Sequence, residues 1–535
     1  MQAGQKFWFV VSVRRGMVHF SVDRKVSLRK PSSDALGVRF MSGKQHVLVV
    51  GAGPGGLTAG MLLQHYGYQV TILEKADRVG GRNARIDLGA YHFDTGPTFL
   101  MMKFILDEMF AAVGRKTEDY LHTSQLEPMY RLHFPDFKLD VRTDLMDMKE
   151  DVARLFPGEE EGLQKFYERE TRRYDRLLPC LKVPYSTVQS MLSPQFLGAI
   201  PIMSLGKSLY GELGHYFQSE KLRLSFTFQS KYLGMSPWDC PAVFTIIPYV
   251  EHREGIYHVH GGLSKISDAM AQVIDEDGGK IELNTEVSEL ILQGKNVKGV
   301  RLADGRELFG DAVFINADFA HAMSSLLPPA TLKKYSRKKL NTLEYSCSTF
   351  MLYLGVNKKV DLPHHNIRFS PSYTENISDI FERRVLHEDT AFYLQNASAL
   401  DESLAPEGKS ALYVLVPVAN NKSGINWQRE KSRYRDQVIK LIAQHMPSLE
   451  NLEDIIEEEL IITPEDWQKK YNVFLGATFN LAHSLEQMLY FRPRNKFEEL
   501  GNCYLVGGGT HPGSGLPTIY ESARISFNLF SGKKI

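Results

Sequence analysis

The run His46-Val47-Leu48-Val49-Val50 lacks the alternation of a half-exposed strand and reads as a parallel strand buried on both faces. A helix-like segment, Leu57 to His65, follows, and then a second short apolar run, Gln69 to Leu73. Strand, helix and strand within about thirty residues predict a βαβ unit. The far end of the chain repeats the opening: Asn502 to Val506 predicts a strand and Thr518 to Phe530 a helix. Between them, Lys280 to Val287 predicts one strand, Asp304-Gly305 a hairpin turn, and Asp311 to Asp318 continues the tract. The pattern is that of an α/β protein.

One tract is unlike the rest. Val183 to Gly206 carries no charged residue and includes Leu192, Phe196, Leu197, Ile202 and Leu205. Pro184, Pro194 and Pro201 interrupt it too often for a spanning helix. Two short helices dipping into one leaflet, or a buried helix pair, would both fit.

Composition narrows the class. At 535 residues the chain exceeds what one core can fill, and 43% apolar with 24% charged residues is ordinary for a folded protein. Lys plus Arg and Asp plus Glu both number 63, so no uniform footprint for nucleic acid exists. Cys180, Cys240, Cys347 and Cys503 are scattered, which excludes a disulfide scaffold or zinc finger and suits a reducing compartment. Met1 to Phe40 holds eight Lys or Arg against Asp23 and Asp34, without clean periodicity, and reads as a disordered extension without a functional part. The basic residues Lys333, Lys334, Arg337, Lys338 and Lys339 suit anionic lipid or a solvated helix face, and the acidic run Glu453 to Glu459 a solvated face.

The first strand runs into Gly51-Ala52-Gly53-Pro54-Gly55-Gly56, a G-x-G-x-x-G match. Three fixed glycines arise by chance about 0.26 times in a chain with this glycine content, so the motif alone is weak. Its context is what counts: a strand before, a helix after, and Glu74 at the end of the second strand. Gly51 allows the tight turn, Gly53 lets backbone approach a pyrophosphate, and Gly56 permits close helix–strand packing. The helix N-terminus faces the phosphates, and Glu74 is placed to accept hydrogen bonds from a ribose.

Glu74 leads through Lys75 and Ala76 into Gly80-Gly81-Arg82, a second glycine pair that can close over the same pyrophosphate with Arg82 as a charge-assisted donor. Phe93-Asp94-Thr95-Gly96-Pro97-Thr98 then forms a polar turn between apolar flanks. Together these segments resemble the FAD-binding half of the flavin amine oxidase and carotenoid desaturase superfamily. The resemblance implies FAD as cofactor, with Gly51, Gly53, Gly56, Glu74, Lys75, Gly81 and Arg82 on its ADP side. It also implies Thr95, Gly96 and Pro97 beside the isoalloxazine ring and Val287 against the adenine.

The string Leu505-Val506-Gly507-Gly508-Gly509-Thr510-His511-Pro512-Gly513-Ser514-Gly515-Leu516-Pro517 closely resembles the C-terminal signature of bacterial-type phytoene desaturases. It implies Gly508, Gly509, Gly515, Leu516 and Pro517 as further cofactor-binding residues. Amine oxidases commonly carry an acidic residue where this chain has Gly509, which points to the carotenoid branch. A helix starting near Thr518 would aim its N–H groups at the flavin C2 carbonyl region, where reduced flavin gathers negative charge. His511 lies against Pro512 and Gly513 and reads as a turn histidine rather than a base. His258 and His260 share a strand face but lack a third ligand at metal spacing, so no metal site is assigned and packed or solvent-facing histidines are expected.

The resemblance spans Gln45 to the C-terminus and implies a Rossmann-like, discontinuous FAD-binding domain, a second α+β substrate domain and a helical membrane-facing insertion. The expected segments are 1–43 (extension), 44–120, 255–325 and 495–535 (flavin), 121–254 (helical insertion) and 326–494 (substrate). The implied reaction is FAD-dependent desaturation of a polyene, phytoene or its diapo- counterpart, by hydride transfer to flavin. An apolar polyene, a membrane surface engaged peripherally from the cytoplasm, and oxygen or a quinone as electron acceptor are the implied partners. Thr187 to Ser193 is uncharged where relatives carry charges considered for proton transfer, so no catalytic residue is assigned. A carotenoid oxidase, a retinoid-type saturase, an amine oxidase or a non-enzymatic GDI-like lipid-binding protein are the alternatives on the same scaffold.

Overall fold

Buried β-branched side chains build the sheet that organises the molecule. Val47, Leu48 and Val49 are wholly inaccessible in the strand His46–Val50, which pairs in parallel with Gln69–Leu73 on one side and Ala312–Ile315 on the other. Lys280–Glu282 and Cys503–Leu505 complete a five-stranded parallel sheet. Numbered in chain order its strands run 3-2-1-4-5, so the winding reverses between His46–Val50 and Ala312–Ile315. In such sheets the crevice at the carboxyl ends of the strands beside that reversal is where a ligand fits. The helix Pro54–His65 packs against both Ser264–Glu276 and Leu516–Ser531, binding three distant parts of the chain into one core. This is a computed structural model, and it describes residues 43–535; the expected N-terminal extension lies outside the described residues except for Gly43.

A larger, mostly antiparallel sheet of seven strands forms the second layer. Its order is Ile456–Ile462, Ser348–Val356, Ser410–Val418, Phe392–Asn396, His365–Arg368, Tyr130–His133, Lys138–Val141, with only the pair His365–Arg368 and Tyr130–His133 parallel. Segment 121–254 is thus not purely helical: it lends two strands to this sheet before its helices Leu145–Leu155 and Glu160–Leu177 begin. The acidic run forms a short helix and the edge strand Ile456–Ile462, where Glu453 and Glu459 pair with Arg435 and Glu457 with Lys409. Charge along an open edge discourages further strand pairing, a more specific use than a solvated face.

Three further expectations are revised. The single strand expected over Lys280 to Val287 is two, because Asn284 takes a left-handed φ of +52° and turns the chain out of the parallel sheet into the hairpin strand Val287–Gln293. The C-terminal helix starts at Leu516, with Pro517 in its first turn, rather than at Thr518. Lys334 of the basic cluster is tied to Glu498, and the backbone N–H groups of Lys333 and Lys334 to Glu499, so part of that cluster serves packing.

The charge-free tract forms the short helices Val188–Met191 and Pro194–Ala199, capped by Thr187 and Ser193. Phe196 and Ala199 turn inward, whereas Val188, Leu192, Leu197 and Leu205 are 47–60% exposed, which does not suit a buried helix pair. Arg173, fully buried on the helix Glu160–Leu177, holds the end of the tract by donating to Ile202 O (2.8 Å) and Ser204 Oγ (2.9 Å). Its charge is met by Glu170 and Glu212. Among the described residues no helix is long and apolar enough to cross a membrane.

Candidate functional site

A single cavity of about 830 Å³ runs from the carboxyl end of the parallel sheet to the face of the seven-stranded sheet. Its two ends are built differently.

At the parallel-sheet end the walls are backbone. Gly51, Gly53 and Gly55 crowd around Asn316 at the end of Ala312–Ile315: a Cβ on Gly51 would lie 2.5 Å from Asn316 O and one on Gly55 2.7 Å from Asn316 Oδ1. Gly51 also has φ +94°, open only to glycine without strain. The helix Pro54–His65 starts with no side-chain cap, leaving its first N–H groups directed at the cavity mouth. Glu74 is held as a fixed acceptor: its carboxylate takes the N–H of Ala52 (2.7 Å) and of Ala76 (2.9 Å). Four lone-pair positions less two leave room for ribose hydroxyls.

The remaining expected residues fall around this end with two exceptions. Gly51, Gly53, Glu74, Lys75, Gly81, Arg82, Thr95, Gly96, Pro97, Val287, Gly508, Gly515, Leu516 and Pro517 all line the cavity. Gly56 and Gly509 do not. A Cβ on Gly56 would meet Gly51 O at 2.1 Å and one on Gly509 would meet Phe319 Cβ at 2.6 Å, so both are packing glycines behind the wall. Lys75 Nζ donates to Lys470 O (2.8 Å), and both residues line the cavity. Arg82 is knotted to the wall: it donates to Thr478 O, and Asn480, with its amide oriented to satisfy both neighbours, accepts from Arg82 Nη2 (3.2 Å) and donates to Asp318 Oδ2 (2.7 Å). Burial pulls the Arg82 pKa down and Asp318 opposes that pull.

Two loops are held from behind by buried polar side chains. Asp94 accepts from the N–H groups of Leu263 (2.9 Å) and Ser264 (3.0 Å), fixing the turn 94–97 to the start of the helix Ser264–Glu276. Burial outweighs these bonds and pushes its pKa up to about 6. Tyr353 and Tyr413 donate to Thr95 O and Gly96 O. Arg492, fully buried, donates to Gly508 O (2.7 Å) and Thr510 O (3.1 Å), while Asn495 Nδ2 donates to His511 O (2.8 Å). His511 itself is buried, with its Nε2 on Val183 O (2.8 Å), and burial lowers its pKa to about 4, as befits a structural turn histidine.

The opposite end is aromatic and assembled from dispersed segments. Phe99, Phe228, Tyr232, Ile367, Tyr393 and Leu415 line it. Lys231 projects into this apolar space 4.8 Å over the Tyr373 ring, with no carboxylate partner among the described residues, and burial lowers its pKa to about 8. Behind Tyr232 lies Glu251, fully buried, accepting from Tyr130 Oη (2.9 Å) and Gln229 Nε2 (2.8 Å). Burial pushes its pKa up to about 8, favouring the protonated acid.

His258 is buried, not solvent-facing, and finds a partner no spacing could supply: Asp401, at 3.0 Å from its Nε2. His258, His260 and Asp401 each place a ligand atom within 4.8 Å of the others. Both Asp401 oxygens already accept, Oδ2 from His258 and Gly261 N and Oδ1 from Ser403 N and Oγ, so no metal is assigned. Asn316, Asp318, Asn480, Thr285 and Lys231 line the cavity without having been singled out in the sequence. Asn316 and Asp318 lie in the tract Asp311 to Asp318, which the pattern marked without giving either a role.

The model of the family "Flavin containing amine oxidoreductase" matches residues 54–526. The chain is 54% identical over 493 residues to a 4,4'-diapophytoene desaturase (4,4'-diapolycopene-forming) of Methylomonas sp., covering 92% of this chain and 96% of that protein. It is 37% identical over 486 residues to a zeta-carotene-forming phytoene desaturase of Myxococcus xanthus, covering 90% and 93%. An oxidoreductase of Methanosarcina mazei shares the fold, with a TM-score of 0.61 at 17% identity over 91% of this chain and 100% of that one.

Proposed function

The chain belongs to the flavin containing amine oxidoreductase family, and from that premise we propose that it is an FAD-dependent carotenoid desaturase acting on a diapophytoene-type polyene. The observation that carries this is one continuous cavity with a glycine-and-carboxylate end and an aromatic end. The first end fits FAD. Gly51, Gly53 and Gly81 would admit a pyrophosphate against backbone, Glu74 would hold the ribose, Val287 and Lys75 would flank the adenine, and Gly508, Gly515, Leu516 and Pro517, before and at the start of the C-terminal helix, would hold the flavin. When bound there, FAD supplies the two-electron oxidant that desaturation needs.

The protein's own residues do the rest. The turn Thr95-Gly96-Pro97, fixed by Asp94, Tyr353 and Tyr413, forms a rigid wall at the junction of the two ends. Phe99, Phe228, Tyr232 and Tyr393 exclude water and align a flexible chain, which converts much of the reaction's entropic cost into binding. In this reading 44–120, 255–325 and 495–535 form the flavin domain and 121–254 with 326–494 the substrate side.

A polyene dissolved in lipid needs an entry surface. Val188, Leu192, Leu197 and Leu205 supply an exposed apolar face, so we assign peripheral membrane contact to that helix pair. A single glycine fingerprint leaves a nicotinamide without a loop, favouring oxygen or a quinone as the electron acceptor. Expression in a diapophytoene-producing host tests the substrate: coloured, conjugated products are expected, and a colourless culture containing flavin-loaded protein would refute it. Vesicle flotation tests the surface, with loss of flotation expected for the Leu192→Ser/Leu197→Ser variant.

A further inference from the structure

Making a double bond from a CH–CH unit breaks two C–H bonds and forms one π bond. One hydrogen leaves with its electron pair to the oxidant; the other leaves as a proton. In an apolar cavity that proton needs an exit, and neither Glu74 nor Arg82 lies at the aromatic end.

A line of side chains does lead out of that end. Thr98 and Tyr393 line the cavity with their hydroxyls 2.8 Å apart. Tyr393 Oη is 2.7 Å from His365 Nδ1. The His365 ring lies 4.2 Å from that of His364, centre to centre, and is shielded from the cavity by Phe99 stacked at 4.0 Å. His364 Nε2 is 3.1 Å from His258 Nδ1, and His258 Nε2 is 3.0 Å from Asp401 Oδ2. His260, partly exposed and stacked on exposed His122, lies beside the His258–Asp401 pair at the outer end.

The chemistry of the chain fixes its direction. Asp401 is held as a carboxylate: burial opposes this, but the bonds from His258, Ser403 and Gly261 prevail and keep its pKa well below the usual range. It therefore accepts from His258 Nε2–H, leaving His258 Nδ1 bare to accept from His364 Nε2–H. His364 Nδ1 is then a bare acceptor. If Thr98 donates to Tyr393 and Tyr393 to His365 Nδ1, His365 Nε2 is a donor. These two nitrogens, His364 Nδ1 and His365 Nε2, are the ones that lack partners in the buried histidine pair, one acceptor and one donor. Burial, chiefly, keeps both rings well below the ordinary imidazole range, so they are neutral at rest and hand a proton on rather than keep it.

Resting on the desaturase reading, we propose that Tyr393, His365, His364, His258 and Asp401 form a proton-exit relay from the substrate cavity to the surface. The substrate proton passes to Tyr393 Oη as Tyr393 gives its own to His365 Nδ1. His365 Nε2–H crosses to His364 Nδ1, through one water molecule or a ring rotation, and His364 Nε2–H passes to His258 Nδ1. The net result is one imidazolium, His258, paired with the Asp401 carboxylate, which releases the proton by way of His260. Charge and atoms balance at each transfer. Tyr393 touches substrate; the histidines act through it.

The test uses the full-length flavin-loaded protein in anaerobic single turnovers with detergent-dispersed diapophytoene, in water and in deuterium oxide, with a dye reporting proton release. Tyr393→Phe and His365→Gln are expected to slow turnover about 100-fold at unchanged flavin content. His258→Gln should delay proton release more than product formation. Added imidazole should recover part of the rate of a His365→Gly variant, which a merely structural role would not allow. A second readout needs no turnover: in resting protein with nitrogen-labelled histidine, His258 and His364 should each show one fixed, Nε2-protonated tautomer, released by Asp401→Asn. Wild-type rates in Tyr393→Phe and His365→Gln, or free tautomer exchange at rest, would overturn the relay. Should the wild-type protein leave diapophytoene untouched, the functional reading fails while the tautomer measurement still judges the relay.

Discussion

The two ends of the cavity respond to different physics. At the parallel-sheet end the ligand surface is backbone: glycines at positive φ, uncapped helix starts, and one carboxylate held by two N–H groups. At the aromatic end it is side chain, contributed by segments near 99, 228–232, 367, 393 and 415 that share no local pattern. A backbone wall has one solution and tolerates no added atom. A side-chain wall has many of about the right size, and a substitution there reshapes the cavity before it unfolds the protein. Variants that add or remove atoms at each end sharpen this contrast.

The largest effect is expected from Gly51→Ala. The new Cβ lies 2.5 Å from Asn316 O, and alanine at φ +94° adds strain of about 1–3 kcal/mol. Relief of both requires moving the glycine loop proposed to hold the pyrophosphate, so the purified variant should carry no flavin by visible absorbance. Next is Arg492→Met, which strips the donor from Gly508 O and Thr510 O inside the protein. Leaving such carbonyls unpartnered costs about 3 kcal/mol or more, read as a lowered Tm together with weakened flavin retention.

At the side-chain end, Glu251 yields a pH effect. Its pKa rises from 4.5 in the unfolded chain to about 8 in the fold because it is buried. The folded protein then holds a proton that the unfolded chain releases above the lower value. Stability from this acid is complete below that value and declines as pH climbs towards the upper one, by at most about 1.4 kcal/mol per pH unit. Thermal melts across this interval should fall with pH in the wild type and fall less in Glu251→Gln, whose amide oxygen still accepts from Tyr130 and Gln229. Equal slopes would mean Glu251 is ionised in the fold.

The contrast also explains what could be read from sequence. Gly51, Gly53, Glu74 and the string Gly507 to Pro517 were legible because backbone sites demand particular residues at fixed spacing along one strand–turn–helix unit. Gly56 and Gly509 belong to the same strings yet face away from the cavity, since packing and ligand approach exclude a Cβ equally well. The break at Asn284 was hidden because strand-compatible Ile281 and Leu283 precede it and Thr285 and Val287 follow it, and only its φ reveals the turn. The His258–Asp401 contact and the His364-His365 pair were illegible because the partners are 106 and 143 residues from His258 and meet only when the seven-stranded sheet forms beside the strand Ile256–Val259.

The smallest expected change in stability is also the one that probes the aromatic end most directly. Phe228 is buried and sets its ring edge-on to Tyr130 at 5.0 Å and Tyr232 at 5.6 Å while lining the cavity. In Phe228→Leu those ring contacts go but most of the apolar volume stays, at a cost of about 1–2 kcal/mol. Flavin content should match the wild type, because no atom of the glycine loops moves. Competition between diapophytoene and phytoene should shift towards the longer chain, since the space vacated by the ring adjoins the aromatic end proposed for substrate rather than the glycine loops. Loss of flavin from Phe228→Leu, with the Gly51→Ala protein retaining its own, would reverse the assignment of the two ends.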